Sequence, residues 1–391
     1  MAAFRTSLRH YRLLSTTITT PCTYPGRINA VIPKLHSQDQ FYNNKHSWPT
    51  VNKLIISQEF PKLETYIESL KQDPKITDEN YLSLLIQYYG AARMYIEALK
   101  LYTQMEQLGT PRTALSFNAL LFAFINSKKY KVVAKLFDEI PQKYGFSPDK
   151  FSYHYLVEAL CELGEVESVM LILKEMEEKG MEVGTIPYCM VLNALYIMGK
   201  NERVDQVWKE MIEKGCSPDV VAYNVRIAHS KKGKPEDILA LMEEMKTRGL
   251  EPDITSYNYL FACYCKNGML KEARKVYDDL GKNGCVPNGA TYRSLIVQLC
   301  KTKDFDKAYE VFKESVQKNK TQSYDVLKKL ADGLVKSSKR MEAKELIDTM
   351  KQILRDKASD DWNKLEVRLG LDTNEDDITE QAEVQDDECK R

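Results

Sequence analysis

Apolar positions along the chain recur at the spacing of amphipathic helices, and these helices come in pairs. In one pair, Tyr257, Leu260 and Tyr264 share one face of a first helix. A turn around Gly268 then leads to a second amphipathic stretch, residues 270–280. Each stretch has roughly a dozen residues, which is near the mean helix length in globular proteins. The pattern therefore predicts a helix-turn-helix unit.

This unit repeats, with spacings of 34 to 36 residues between equivalent positions. An aromatic residue opens the first helix at Phe117, Tyr153, Tyr188, Tyr223, Tyr257 and Tyr292. A methionine stands near the end of the second helix at Met105, Met176, Met211, Met245 and Met350. A glycine follows at Gly109, Gly145, Gly180, Gly215, Gly249 and Gly284. A proline comes three residues after the glycine at Pro148, Pro218, Pro252 and Pro287.

Each of these columns has a physical role. We expect most of the tyrosines and methionines to lie in the core. Glycine supplies the left-handed residue that ends a helix, and proline cannot continue one. Because two short helices bury little apolar surface alone, neighbouring pairs must stack into a continuous core. The period therefore predicts an all-α solenoid.

The residue types in the columns also point to a family. A first helix opens with Tyr-Asn-Tyr-Leu at 257–260, and Cys-Lys pairs follow at 265–266 and 300–301. Gly, Ala, Met, Gly and Pro-Asp come next in order, whereas the Trp, Leu-Gly and Tyr pattern of tetratricopeptide repeats is missing. Over residues 44–358 the chain resembles the pentatricopeptide repeat family, in its class built from repeats alone. The resemblance implies a right-handed superhelical α-solenoid of about eight 35-residue repeats.

The register of the repeat predicts the domain organisation. Residues 1–43 form a targeting segment and lead-in, and 44–78 a degenerate first repeat or cap. Eight repeats follow, at 79–113, 114–149, 150–184, 185–219, 220–253, 254–288, 289–323 and 324–358. Residues 359–391 are predicted to be an acidic tail, with a short capping helix followed by disorder.

Charge is distributed unevenly although the formal net charge is zero. Residues 1–43 carry a net charge of +4 and residues 359–391 a net charge of −8, which leaves +4 for the repeats. An Arg-rich head without an acid before Asp39 predicts a mitochondrial targeting segment, with chloroplast import or a merely disordered basic head as alternatives. No apolar run is long enough to span a membrane.

The resemblance also implies an RNA-binding role, in which one repeat reads one base of a single strand. It assigns base reading to the fifth and last residues of a repeat. Pairs that fit are Asn118 with Asp149, Asn224 with Asp253, and Asn258 with Asn288. The first two would favour uracil and the third cytosine. Helix capping and hydrogen bonding between repeats are the alternative roles of these side chains.

The remaining pairs depart from that pattern. They are Ser83/Thr113, His154/Gly184, Cys189/Asp219, Arg293/Ser323 and Lys328/Ala358, of which only Cys189/Asp219 is ambiguous. Base-sandwich candidates implied by the resemblance are Leu115, Phe151, Ile186 and Val221.

A lysine column is predicted to contact RNA phosphates. Its members are Lys266, Lys301 and Lys336, which stand 35 residues apart and so share one face. A solvated lysine face is the alternative. Arg293 and Lys328 would add to this basic stripe at positions that do not read bases.

Catalytic chemistry is not indicated. The cysteines share columns of the repeat, as Cys161, Cys265 and Cys300 do, and are predicted to be packing thiols rather than metal ligands. No Cys-x-x-Cys pair or His-Glu-x-x-His occurs, and no phosphate-cradling Gly-rich loop. We expect no catalytic residue, metal, cofactor or small-molecule substrate.

Three functional hypotheses remain. The stretch 111–121 resembles short plant mitochondrial pentatricopeptide repeat proteins, some of which are components of the small ribosomal subunit. The first hypothesis is therefore a structural RNA-binding component of a mitochondrial ribonucleoprotein, with rRNA and ribosomal proteins as partners. The second is a free factor that stabilises, processes or activates one organellar mRNA. The third is a protein-interaction scaffold without RNA.

Overall fold

The computed structural model describes residues 47–230, 233–354 and 359–371. Within these ranges the chain forms 19 α-helices and one short 3₁₀ helix, and no strand. The prediction of an all-α repeat fold is confirmed. The predicted targeting segment and most of the acidic tail lie outside the described residues.

The chain divides into two compact units, residues 1–229 and 230–391. In unit 1 the helices are α1 (Trp48–Ile56), α2 (Phe60–Leu70), α3 (Glu79–Ala91), α4 (Tyr95–Gln104), α5 (Ala114–Asn126), α6 (Tyr130–Tyr144), α7 (Lys150–Glu162), α8 (Val166–Glu178), α9 (Thr185–Ile197), α10 (Asn201–Glu213) and α11 (Val220–Ser230), with the 3₁₀ helix at Pro74–Thr77. Helix α11 ends at the boundary between the units.

Unit 2 continues the alternation of first and second helices. Its helices are α12 (Pro235–Thr247), α13 (Ile254–Lys266), α14 (Leu270–Asp278), α15 (Gly289–Lys301), α16 (Phe305–Gln317), α17 (Tyr324–Lys336), α18 (Arg340–Leu354) and α19 (Ser359–Arg368). First helices from α3 onward, except α11, are 13 residues long.

The glycine column ends the second helices as the sequence predicts. Gly180 has φ +72°, in the left-handed region. Its own N–H donates to Glu177 O, and the N–H of Met181 donates to Met176 O at 2.9 Å. This reverse bonding satisfies carbonyl groups that the helix end would otherwise leave unpaired.

The core follows the aromatic and methionine columns. Exposure is 1% or less for Phe117, Tyr153, Tyr188, Tyr223 and Tyr292, and 2% or less for all five methionines. Tyr257 is the exception, because its ring is only half-buried. The thiols of Cys189 and Cys263 are buried, and the other described cysteines are half-buried and free. Burial raises the pKa of Cys265 and Cys300 to about 11, so these thiols stay protonated at neutral pH.

First helices pack closely at the start of unit 1. A Cβ atom on Gly90 of α3 would lie 2.9 Å from Ala123 Cα of α5, so only glycine permits this approach. Asn126 Nδ2 also donates to Gly90 O across the same contact, at 3.3 Å. The close approach leaves little room for solvent between α3 and α5.

Helix α19 packs on the last repeat of unit 2. Trp362 is 1% exposed and meets the Tyr324 ring edge-on, with centroids 5.0 Å apart. Arg368 pairs with Asp332 of α17 at 2.5 Å, and Glu366 pairs with Lys344 and Lys351 of α18. Over the described residues, no helix has the length and apolarity needed to cross a membrane.

Candidate nucleic-acid interface

The fifth residue of one repeat meets the residue that caps the next first helix. Asn118 Nδ2 donates to both carboxylate oxygens of Asp149, at 3.0 and 3.1 Å. Ser152 Oγ donates to Asn118 Oδ1 at 2.6 Å. Asp149 also accepts from the Ser152 N–H and so caps α7. The Asn118 amide is bonded at both ends, and its side chain is buried at 6% exposure.

Asn258 makes the same kind of network in unit 2. Its Nδ2 donates to Asn288 Oδ1 at 3.3 Å, and Thr291 Oγ1 donates to its Oδ1 at 2.8 Å. Asn288 caps α15 by accepting from the backbone N–H groups of Ala290 and Thr291. Asn258 differs from Asn118 because it is only half-buried. Asn258 is therefore more accessible to solvent than Asn118, although its amide makes the same two kinds of hydrogen bond.

The third candidate pair, Asn224 and Asp253, falls on the two units. Asn224 is half-buried on α11. Asp253 caps α13, where Oδ1 accepts from the N–H groups of Thr255 and Ser256 at 3.0 Å. Capping is thus a confirmed role of Asp149, Asp253 and Asn288. Base reading stays a prediction for all three pairs.

Exposure of the fifth position rises along the chain. In the first four repeats this side chain is buried, at 0% exposure for Ser83, 6% for Asn118 and His154, and 2% for Cys189. In the later repeats it is half-buried or exposed, as at Asn224, Asn258, Arg293 and Lys328. The fifth residue is therefore more accessible in the later repeats than in the first four.

The predicted base-sandwich residues all lie on first helices of unit 1. Leu115, Phe151 and Ile186 are half-buried, and Val221 is 37% exposed. Phe151 meets the His154 ring edge-on, with centroids 6.3 Å apart. These side chains offer apolar surface beside fifth positions that are mostly closed.

The predicted phosphate column lies wholly in unit 2. Lys266, Lys301 and Lys336 are the last residues of α13, α15 and α17, and all three are exposed. Helix α15 packs against both α13 and α17. The three lysines therefore end first helices that lie side by side in successive repeats.

Helices α13, α15 and α17 of unit 2 are more basic than the first helices α3, α5, α7 and α9 of unit 1. Helices α13, α15 and α17 together carry six basic residues and two acids, and one of those acids, Asp332, is paired with Arg368. Helices α3, α5, α7 and α9 together carry one lysine and three glutamates. The net charge of whole regions of the sequence hides this difference, whereas the charges on the first helices alone show it. Polyanion binding is thus favoured on unit 2.

Glu158 of unit 1 is a half-buried carboxyl group with a raised pKa. It lies half-buried on α7, one helical turn from Glu162. Burial, with a smaller contribution from the Glu162 charge, raises the pKa of Glu158 to about 8. At neutral pH this carboxyl group is therefore largely protonated, and it adds little negative charge to the face.

Replacing Glu158 by glutamine should change how stability depends on pH. Because folding raises this pKa from about 4.5 to about 8, the group favours the folded state below pH 4.5 and loses that contribution as pH rises through 8. We expect Glu158→Gln to raise the free energy of unfolding by a few kcal/mol at pH 9 and by much less at pH 5. Urea titrations at both pH values measure this difference. Parallel pH profiles for the variant and the parent would contradict it.

The described residues hold no group of three or more His, Cys, Asp or Glu side chains placed to bind a metal ion. The candidate residues on the first helices offer hydrogen bonds from amide side chains and ion pairs from lysine and arginine.

Models of the pentatricopeptide repeat match several stretches of this chain. The PPR repeat family model matches residues 218–262 and 252–301, the pentatricopeptide repeat domain model 171–229, and the PPR repeat model 82–110, 151–181 and 290–319. Small ribosomal subunit protein mL103 of Arabidopsis thaliana is 46% identical over 323 residues, which are 82% of this chain and 78% of that protein.

Two further relatives come from the same plant. A mitochondrial pentatricopeptide repeat-containing protein is 43% identical over 323 residues, covering 82% of this chain and 76% of its own. Small ribosomal subunit protein mS79 is 35% identical over 133 residues, or 34% of each chain.

Proposed function

Since the chain belongs to the pentatricopeptide repeat family, we propose that it is a non-catalytic RNA-binding component of the mitochondrial small ribosomal subunit. The observation that carries this proposal is the exposed lysine row of unit 2, Lys266, Lys301 and Lys336, on helices with few acids. Two relatives named as small ribosomal subunit proteins support the assignment to the ribosome.

The geometry favours RNA held by charge over RNA read base by base. Fifth positions in four repeats are buried, and Arg293 and Lys328 replace the amide side chain in two others. The half-buried amide side chains at this position are Asn224 and Asn258. Each well-read base contributes on the order of 1–3 kcal/mol, which is too little for two bases to select one transcript. A ribosomal subunit supplies the missing specificity through its other components.

Sedimentation tests the ribosomal assignment. When mitochondrial extract is run on a sucrose gradient, the protein should sediment with small ribosomal subunits. When assembled ribosomes are dissociated into subunits, the protein should shift from the ribosome fractions to the small-subunit fractions. A free mRNA factor, the alternative function, would run in light fractions. Protein found only in light fractions, with or without RNase, would overturn the ribosomal proposal.

Base reading by Asn258 gives a separate prediction. Asn258→Ala should alter the preference for cytosine at one position of a bound single strand and leave the salt dependence unchanged, because the side chain carries no charge. Binding to a set of oligonucleotides that differ at one base measures this preference.

Asn118→Ala is the matched control. It removes the same amide from a buried network and should lower the free energy of unfolding by about 1–3 kcal/mol, without changing base preference. Equal changes of base preference in both variants would mean that Asn118 can contact a base although its side chain is only 6% exposed.

A further inference from the structure

Helix α19 ends close to one member of the lysine row. Arg368 of α19 pairs with Asp332 of α17 at 2.5 Å, and Lys336 follows Asp332 by four residues on the same helix. Side chains four residues apart lie on the same face of a helix, about one turn from each other. The Arg340 side chain, at the start of α18, donates to Gly370 O just after the end of α19. The chain therefore leaves α19 beside the end of α17 that carries Lys336.

A strongly acidic segment begins at this point. Leu371 is 7% exposed and belongs to the apolar core of unit 2, so packing fixes the place from which the segment starts. Residues 372–391 carry nine acids and two bases, a net charge of −7. We call these residues the acidic segment. Its high negative charge is thus joined by the chain itself to the neighbourhood of the lysine row.

The acidic segment is long enough to follow the whole row. Helices α13, α15 and α17 are packed side by side, and packed helix axes are about 8–10 Å apart. The three lysines that end these helices therefore span roughly 20 Å. The acidic segment has 20 residues, and a flexible chain of that length spans roughly 25 Å on average. It can reach all three lysines without any movement of the helices.

Charge complementarity selects the first-helix face of unit 2 over its second-helix face. Helices α13, α15 and α17 together carry six bases and two acids, and Asp332 is already paired with Arg368. The second helices α14, α16 and α18 together carry eight bases and eight acids. A polyanion joined to unit 2 is therefore attracted mainly to the first helices, where the three row lysines are exposed.

We propose that the acidic segment binds the lysine row of its own chain and competes there with RNA. The competition rests on the proposed RNA-binding function, whereas the contact within the chain does not. Because the segment and the row are joined, the effective concentration of the segment at the row is in the millimolar range. RNA that offers only one or two phosphates leaves the segment in place, and RNA that engages the whole row displaces it. The segment thus disfavours weak, unspecific RNA contacts.

Crosslinking with a water-soluble carbodiimide tests the contact within the chain, without RNA. This reagent joins a carboxylate to a lysine amine when the two groups touch. In the full chain we expect links between the acidic segment and the lysine row, and their loss at high salt, which screens the attraction. Mixing unlabelled with isotope-labelled protein should give links within single chains. Links to other lysines only, or links between labelled and unlabelled chains, would overturn the proposal.

Neutralising part of the acidic segment tests the competition. The variant combines Glu375→Gln, Asp376→Asn and Asp377→Asn in the full chain. It should bind an unstructured RNA strand about 3- to 10-fold more tightly at low salt, because more of the molecules have a free lysine row. Fluorescence anisotropy with the labelled strand measures the affinity.

A matched control adds the same net charge elsewhere. It replaces three exposed acids of α10 by their amides and should change the affinity by less than about twofold: Glu202→Gln, Asp205→Asn and Glu213→Gln. In a chain whose row lysines are replaced by alanine, the segment variant should have no effect. Equal tightening by variant and control would overturn the proposal, as would tightening that persists without the row. If no form of the chain bound RNA, the proposed function would fail, and the crosslinks would still decide whether the segment contacts the row.

Discussion

Replacing Lys266, Lys301 and Lys336 together by alanine is expected to weaken RNA binding roughly 10- to 100-fold at low salt. The three lysines lie exposed at the ends of successive first helices, and each phosphate that they are proposed to contact would release a counterion on binding. Loss of three such contacts reduces the log–log salt slope by about 2 for a single strand and about 3 for a duplex. Fluorescence anisotropy with labelled RNA at several salt concentrations measures both quantities.

The matched control for this variant replaces Lys271, Lys275 and Lys313 by alanine. These three lysines lie exposed on second helices of unit 2. The control removes the same net charge from another face of unit 2, so it separates local contact from the general field of the protein. If both triple variants lost affinity equally, the lysine row would have no special role. An unchanged slope in the first variant would favour a scaffold without RNA on this face.

Trp362→Ala is expected to have the largest effect on stability. Trp362 is 1% exposed, and it fills the space between α19 and the last repeat beside the Tyr324 ring. Removing a buried indole leaves a cavity and costs about 3–5 kcal/mol. In a repeat protein stability is a sum of local contacts, so the loss should appear first in α17 to α19. Hydrogen exchange across the chain locates the weakened segment.

Val367→Ala supplies the comparison within the same helix. Val367 is 62% exposed, and its truncation should change stability by less than about 0.5 kcal/mol. If the two substitutions lowered the free energy of unfolding equally, packing of Trp362 between α19 and the last repeat would not stabilise unit 2. Faster exchange spread evenly over both units would contradict the local character of the effect.

The repeat architecture was predictable from the sequence because each repeat contacts mainly its neighbours. Columns such as Tyr153, Met176 and Gly180 report local requirements: a buried ring, a buried thioether and a left-handed residue. Tyr257 shows the limit of this reasoning, since the same column residue is only half-buried there. Burial at one position depends on how closely two particular helices pack.

The accessibility of the reading positions was not predictable for the same reason. Asn118 and Asn258 occupy equivalent positions and form equivalent hydrogen-bond networks, yet one is buried and the other half-buried. Burial at this position differs although the residue type and its hydrogen bonds are the same. The residue types in the columns carry no signal for this difference.

The charge pattern was predictable only in part from the sequence. The lysine column was visible as a period in the sequence, and Arg293 and Lys328 were recognised as basic residues that do not read bases. Only the helix bounds show that Lys301 and Lys336 end α15 and α17, and that Arg293 and Lys328 are the fifth residues of the same helices.

Ultraviolet crosslinking of the native protein in intact mitochondria tests the central claim most directly. RNA recovered with the protein should be small-subunit rRNA, and the crosslinked peptides should come from α13, α15 and α17. Recovery of one mRNA without rRNA, or of peptides from the first helices of unit 1 alone, would contradict the account.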